Sequence, residues 1–227
     1  MNKTFINALI VLGVIPVLVL SGLFVFQDRS FILISLLIAV LALLPIFLSF
    51  EKKEANIRRM VMLATLVTLS VVGRFIFAAI PGFQPVTAIV VISAIFFGSE
   101  AGFMVGALSA LISNIYFGQG PWTPFQMFAW GLIGFIAGHP KWSLRLKENR
   151  LHLVLYGVFA GMMYSLMMDV WTVMSLDGTF NFSRYVTIAA LALPFMAVYA
   201  VSNVVFLLLA IKPVGEKLER LKTKYGM

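Results

Sequence analysis

The sequence predicts an all-α integral membrane protein of about eight transmembrane helices, and three observations carry that expectation. Of the 227 residues, 61% are hydrophobic and 11% charged, with a mean hydropathy of +1.01. No water-soluble domain of this length can hide so much apolar surface, so the bilayer must be its solvent. The apolar residues fall into eight segments, about 5–26, 31–50, 60–80, 85–98, 101–117, 122–138, 151–175 and 185–211. Finally, Lys and Arg segregate between alternate connections, as orientation in a membrane requires.

The first segment follows Lys3 and has the look of a secretory leader. It lacks a small-residue cleavage site and a second span follows almost at once, so an uncleaved anchor is expected. The next connection holds Lys52, Lys53, Arg58 and Arg59, a later one Lys141, Arg145, Lys147 and Arg150, and the tail Lys212, Lys217, Arg220, Lys222 and Lys224. The opposite connections hold only Arg29 and Arg184. Both termini and the loop His139–Arg150 are therefore expected in the cytoplasm. The same segregation accounts for the net charge of +8 without nucleic acid.

The outer connections differ in kind. Residues 81–85, 117–122 and 176–184 are short, nearly uncharged, and rich in Gly, Pro, aromatics and amides. Turn chemistry explains the Gly and Pro, and interface anchoring is one explanation for Trp122.

Arg74 lies about fourteen residues into its span, in the outer half of the membrane at ~1.5 Å rise per residue. Such a charge faces a bundle interior or water-filled cavity, or else snorkels to the headgroups. Asp169 lies at similar depth on the seventh span, either pairing with Arg74 or facing a ligand alongside it. Trp122, Gln126 and Trp130 recur every four residues and so share one helix face. An amide between two indoles suits a flat ligand; a belt Trp plus a packed Trp is the alternative. Tyr164 and Trp171, among several Met, enrich the seventh span, and Asn181 and Arg184 stand in the last outer loop. Asn114 and Asn203 are polar positions whose simplest role is bonding a neighbouring helix.

Gly98, Gly102, Gly106, Ala110 and Asn114 form a second four-residue ladder, and Gly134 and Gly138 a GxxxG pair. Close helix packing is the expected use of both. Ala64 and Thr68 are a further small pair, suited to internal packing or to docking a partner helix.

Catalytic signatures are missing. The chain has no Cys, two His, no HExxH, no GxSxG and no phosphate loop. No catalytic residue, metal ligand or intrinsic cofactor is expected. The chain also has no room for an ATP-hydrolysing module of its own.

From Val72 to Gly138 the sequence resembles the substrate-binding S components of energy-coupling factor (ECF) transporters, bacterial importers of vitamins. The resemblance is carried by Arg74, by PGFQPVTAIVVI from Pro81, by FFGSEAGFMVGALSALISN from Phe96, and by GQGPWTPFQMFAWGLIGFIAG from Gly118. It implies a six-helix membrane core over 58–212, preceded by two helices and a basic linker in 1–57 and followed by a basic tail in 213–227. It also implies a multi-pass protein of the cell membrane that docks onto a membrane-embedded T subunit and two cytoplasmic ATPases, the users of ATP. The substrate wall of such proteins maps here onto Gln84, Trp122, Gln126, Trp130, Tyr164, Asp169 and Trp171. The family's AxxxA docking pair is matched by Ala64 with Thr68, so the second alanine is replaced. The GPWTPFQMFAWG variant resembles members linked with cobalamin and related corrinoids, which makes a corrinoid the leading expectation; riboflavin, folate or a queuosine precursor also suits an aromatic, amide-lined mouth. A solitary secondary transporter would instead show repeated halves and coupled midmembrane charges, and neither is evident; a membrane scaffold is the remaining alternative.

Overall fold

In the computed structural model, residues 57–120 and 122–225 are described, together with positions 9, 13 and 14. Apart from those three positions, the first two expected spans lie outside the described residues, as do Lys3, Arg29, Lys52 and Lys53. Those described form eight helices and no strand: α1 Ile57–Ile76, α2 Val86–Phe97, α3 Ser99–Phe117, α4 Thr123–Ala137, α5 Pro140–Glu148, α6 Arg150–Asp177, α7 Phe182–Leu191 and α8 Leu193–Tyr225. The all-α membrane fold expected from the sequence is thus what the chain adopts. Helices α1, α3, α6 and α8 are long and apolar enough to cross a membrane.

The shorter helices have a different position. Helices α2 and α4 have 12 and 15 residues, or about 18 and 22 Å at the usual helical rise, against ~30 Å of hydrocarbon. Nearly every side chain on them is buried. They form the centre of the bundle and the longer helices surround them.

The small-residue ladder fixes how the centre packs. A Cβ at position 102 would stand 2.5 Å from the Ala94 side chain and 2.6 Å from the Gly134 carbonyl oxygen. One at position 106 would meet the backbone of Trp130 at 2.5 Å. Helices α3 and α4 therefore run antiparallel, with Gly102 on Gly134 and Gly106 on Trp130, their backbones in contact. A second seam joins α6 to α8, where Gly161 meets the Ala200 backbone and Gly157 meets Val204.

Helix ends follow local chemistry. Gly98 alone separates α2 from α3 at φ +90°, a conformation that other residues rarely adopt. Asn149 caps α6 by accepting from the N–H groups of Leu151 and His152. Gly178 ends α6 in the left-handed region.

Three segments differ from their expected form. Most of the loop His139–Arg150 is helix α5, opened by Pro140 at a first-turn position and burying Leu146. The single span expected over 185–211 is interrupted at Ala192, because Pro194 lacks the N–H that would bond the Ala190 carbonyl. Beyond residue 211 the chain stays helical to Tyr225, passing through Pro213.

Candidate functional site

The tight α3–α4 seam sets the register of the polar groups at the far end of the same two helices. Arg74, on the last turn of α1, donates to the Ser113 hydroxyl and to Asn114 Oδ1, the latter at 2.9 Å. Asn114 Nδ2 in turn donates to Gln126 Oε1 at 2.7 Å and to Thr123 Oγ1 at 2.9 Å. Gln126 Nε2 donates to the Tyr164 hydroxyl at 2.9 Å. The result is a one-way chain of donors from α1 through α3 and α4 to α6. Asn114 and Gln126 are buried, so each bond is made out of reach of competing water.

An aromatic layer lies against this chain. The Arg74 guanidinium sits 4.6 Å from the Phe117 ring centroid and 5.2 Å from that of Trp130. Trp130, 1% exposed, stacks on Tyr164 with centroids 5.0 Å apart and planes 15° from parallel. Tyr199 of α8 meets Tyr164 edge-on at 5.1 Å. The arrangement suits a planar, amphipathic molecule: flat π faces next to amide donors and acceptors. Among the described residues no cluster of His, Asp and Glu converges to hold a metal ion.

A family model described as the ECF-type riboflavin transporter S component matches residues 54–216. The chain belongs to that family. No curated protein and no solved structure matches it. The protein is therefore a substrate-binding subunit of an ECF vitamin transporter, of a family that is non-catalytic in general and associates with T and ATPase subunits. The likeness to corrinoid-linked members gains no support from this match.

The S component brings Arg74, Gln126, Trp130 and Tyr164 together directly. Asn114 is their hub, a role that its position at the end of a small-residue ladder did not reveal. The Trp122-Gln126-Trp130 face is real but spans different depths: Trp122 stands 36% exposed at the rim while the other two are buried. Trp171 joins the layer through Phe125, centroids 5.5 Å apart.

Asp169 does not pair with Arg74, whose hydrogen bonds go to α3. It is 7% exposed, and its Oδ2 is buried without a hydrogen-bond partner. Gln84 is held by its backbone: its N–H donates to Ser202 Oγ at 2.8 Å, and its carbonyl accepts from the same hydroxyl at 3.1 Å. Phe83 beside it packs between Phe77 and Phe206, so the first outer loop is pinned to α8. Asn181 and Arg184 form a separate cluster. The Asn181 side chain caps α7, accepting from the Arg184 N–H, and Arg184 Nε pairs with Asp177 at 2.6 Å.

On the other side of α1, Ala64 and Thr68 are both exposed. The Thr68 hydroxyl donates back to the Ala64 carbonyl at 2.9 Å, and Thr65 does the same to Val61 at 2.8 Å. With its hydroxyl spent inside the helix, Thr68 offers only a methyl to a neighbour. The replaced alanine therefore leaves the face small and apolar.

Proposed function

We propose that this S component captures a planar vitamin of the riboflavin type at its outer face and passes it inward by docking onto a T subunit and two ATPases. The observation that carries the reading is the donor chain Arg74–Asn114–Gln126–Tyr164 lying against the Trp130–Tyr164 stack. A fused, flat ring system with an imide edge needs both components: π area for its faces and amides for its acceptor–donor–acceptor edge. Arg74, Gln84, Trp122, Gln126, Trp130, Tyr164, Asp169 and Trp171 form the proposed wall, with Asn181 and Arg184 shaping the outer rim. Asp169 Oδ2, buried without a hydrogen-bond partner, is an acceptor for ligand hydroxyls. The family description favours riboflavin over a corrinoid.

The test is titration of the purified chain with riboflavin, read by quenching of flavin fluorescence on stacking. Saturable quenching that a corrinoid does not reverse is expected. Calorimetric binding of a corrinoid with no effect of riboflavin would sink the substrate reading.

The segregation of Lys and Arg supports an orientation with both termini and the segment 139–150 in the cytoplasm of the bacterial cell. Tags at these three positions should react with membrane-impermeant reagents only after the cells are opened. A terminus labelled on intact cells would refute the orientation.

The exposed Ala64–Thr68 face is the proposed contact for the T subunit. Leu at either position is expected to block close helix approach and abolish transport, with vitamin affinity of the isolated chain changed less than about threefold, because neither residue touches the proposed wall. Parallel loss of binding and transport would instead make the pair part of the internal packing.

A further inference from the structure

At the opposite end of α4 and α6 from the donor chain lies a cavity of about 310 Å³. It is lined by Ile136, Trp142, His152, Leu155, Tyr156 and Phe159. The Tyr156 hydroxyl is already committed to the Ile133 carbonyl at 2.5 Å, so the walls are effectively apolar. One polar atom is unanswered: His152 Nδ1 is buried with no hydrogen-bond partner. Such an atom is costly to leave unpaired in an apolar site.

Two surroundings identify what fits. Leu155 and Phe159 belong to a stripe of exposed apolar side chains on α6, with Leu151, Val158 and Met162. Their spacing gives one continuous helix face, and in this membrane protein that face meets lipid. At the other side the Arg145 guanidinium lies 5.8 Å from the Trp142 ring centroid. Lys141 and Arg150 are exposed on the same short stretch with the acid Glu148, while Lys147 pairs with Glu219 of α8. The cavity thus opens toward acyl chains below and toward cations above.

The geometry points to a binding site for an anionic glycerophospholipid, with one acyl chain in the slot along Leu155 and Phe159. The phosphate lies at Arg145, and a headgroup or glycerol oxygen meets His152 Nδ1. A partner helix is the poorer occupant, since the feature is a recess between α5 and α6 and not a flat small-residue face like that of Ala64 and Thr68. This site is separate from the vitamin wall and does not depend on the identity of the vitamin.

The full-length protein, delipidated in mild detergent, would be titrated with phosphatidylglycerol, phosphatidylcholine and inorganic phosphate, and bound species counted by native mass spectrometry. One phosphatidylglycerol should be retained about fivefold or more in preference to phosphatidylcholine, the factor that one basic side chain supplies near a lipid surface. Leu155→Trp, which fills the slot from its wall, and Arg145→Gln, which removes the cation, should each lower that retention about fivefold. Equal retention of the two lipids overturns the proposal, as does undiminished phosphatidylglycerol in both variants. A phosphate adduct without lipid selectivity would mean a free-anion site and also overturns it. Should Leu155→Trp fail to fold, Arg145→Gln decides alone, because Arg145 is exposed and its replacement leaves the core intact.

Discussion

Trp130→Ala is expected to weaken vitamin binding by about 30-fold or more, the equivalent of about 2 kcal/mol and typical of a buried aromatic hot spot. The indole is almost fully enclosed, stacked on Tyr164 and close to the Arg74 guanidinium. Its removal takes away one wall of the flat site and leaves the Tyr164 ring without its partner. Truncation will also cost stability, about 3–5 kcal/mol for a large aromatic deleted from a packed core. Affinity must therefore be measured on the folded fraction, by titration after size exclusion. Trp130→Phe, which keeps an aromatic face, should recover most of the binding. Unchanged affinity in folded Trp130→Ala would put the vitamin elsewhere, and the free Asp169 side of the bundle would be the next place to look.

Asn114→Leu should have the largest effect on stability. Leucine has the branched heavy-atom outline of asparagine, but it leaves Gln126 Oε1 without its donor and takes one bond each from the Arg74 guanidinium and Thr123 Oγ1, which keep only Ser113 and the Gln119–Gly120 turn. Each buried polar group left without a partner costs about 1–3 kcal/mol. Relaxation and shared partners make these terms less than additive, so a total of about 3–5 kcal/mol is expected. Thermal unfolding in detergent should show a large drop in Tm, while Asn114→Asp, still an acceptor for Arg74, should lose less. A Tm within a degree or two of the parent would mean that the chain of donors contributes nothing to holding α1, α3 and α4 together.

How much of this was legible in the sequence depends on the range of the interaction. The apolar runs located six helices of the described region, and the four-residue spacing of Gly102, Gly106 and Gly134 correctly announced close packing. Those signals are local and periodic. Helix α5 escaped because its charged residues mask a pattern with only one buried side chain, Leu146. The interruption at Ala192 escaped because the apolar run continues through it, and only Pro194 marks the change. At the site, Gln126 and Trp130 could be assigned to one face from spacing alone. That Arg74 would meet Asn114 instead of Asp169 could not. The choice depends on the rotation and register of three helices, fixed by the glycine seam some distance from the charges.

Two cations close the end of α2, and they come from opposite ends of the described chain. Arg59 donates to the Phe97 carbonyl across 38 residues of sequence, whereas Lys222 donates to the Phe96 carbonyl across 126. Carbonyls at the end of a helix have no partner within it, so each of these bonds completes what α2 cannot supply itself. During synthesis the first can form as soon as α2 has emerged, at a small cost in loop closure. The second must wait until Lys222 has been made, after all the other helices of the described region. The last turns of α8, beyond the apolar run 185–211, are therefore a latch: they close the end of α2 only after the apolar helices of the described region have been made.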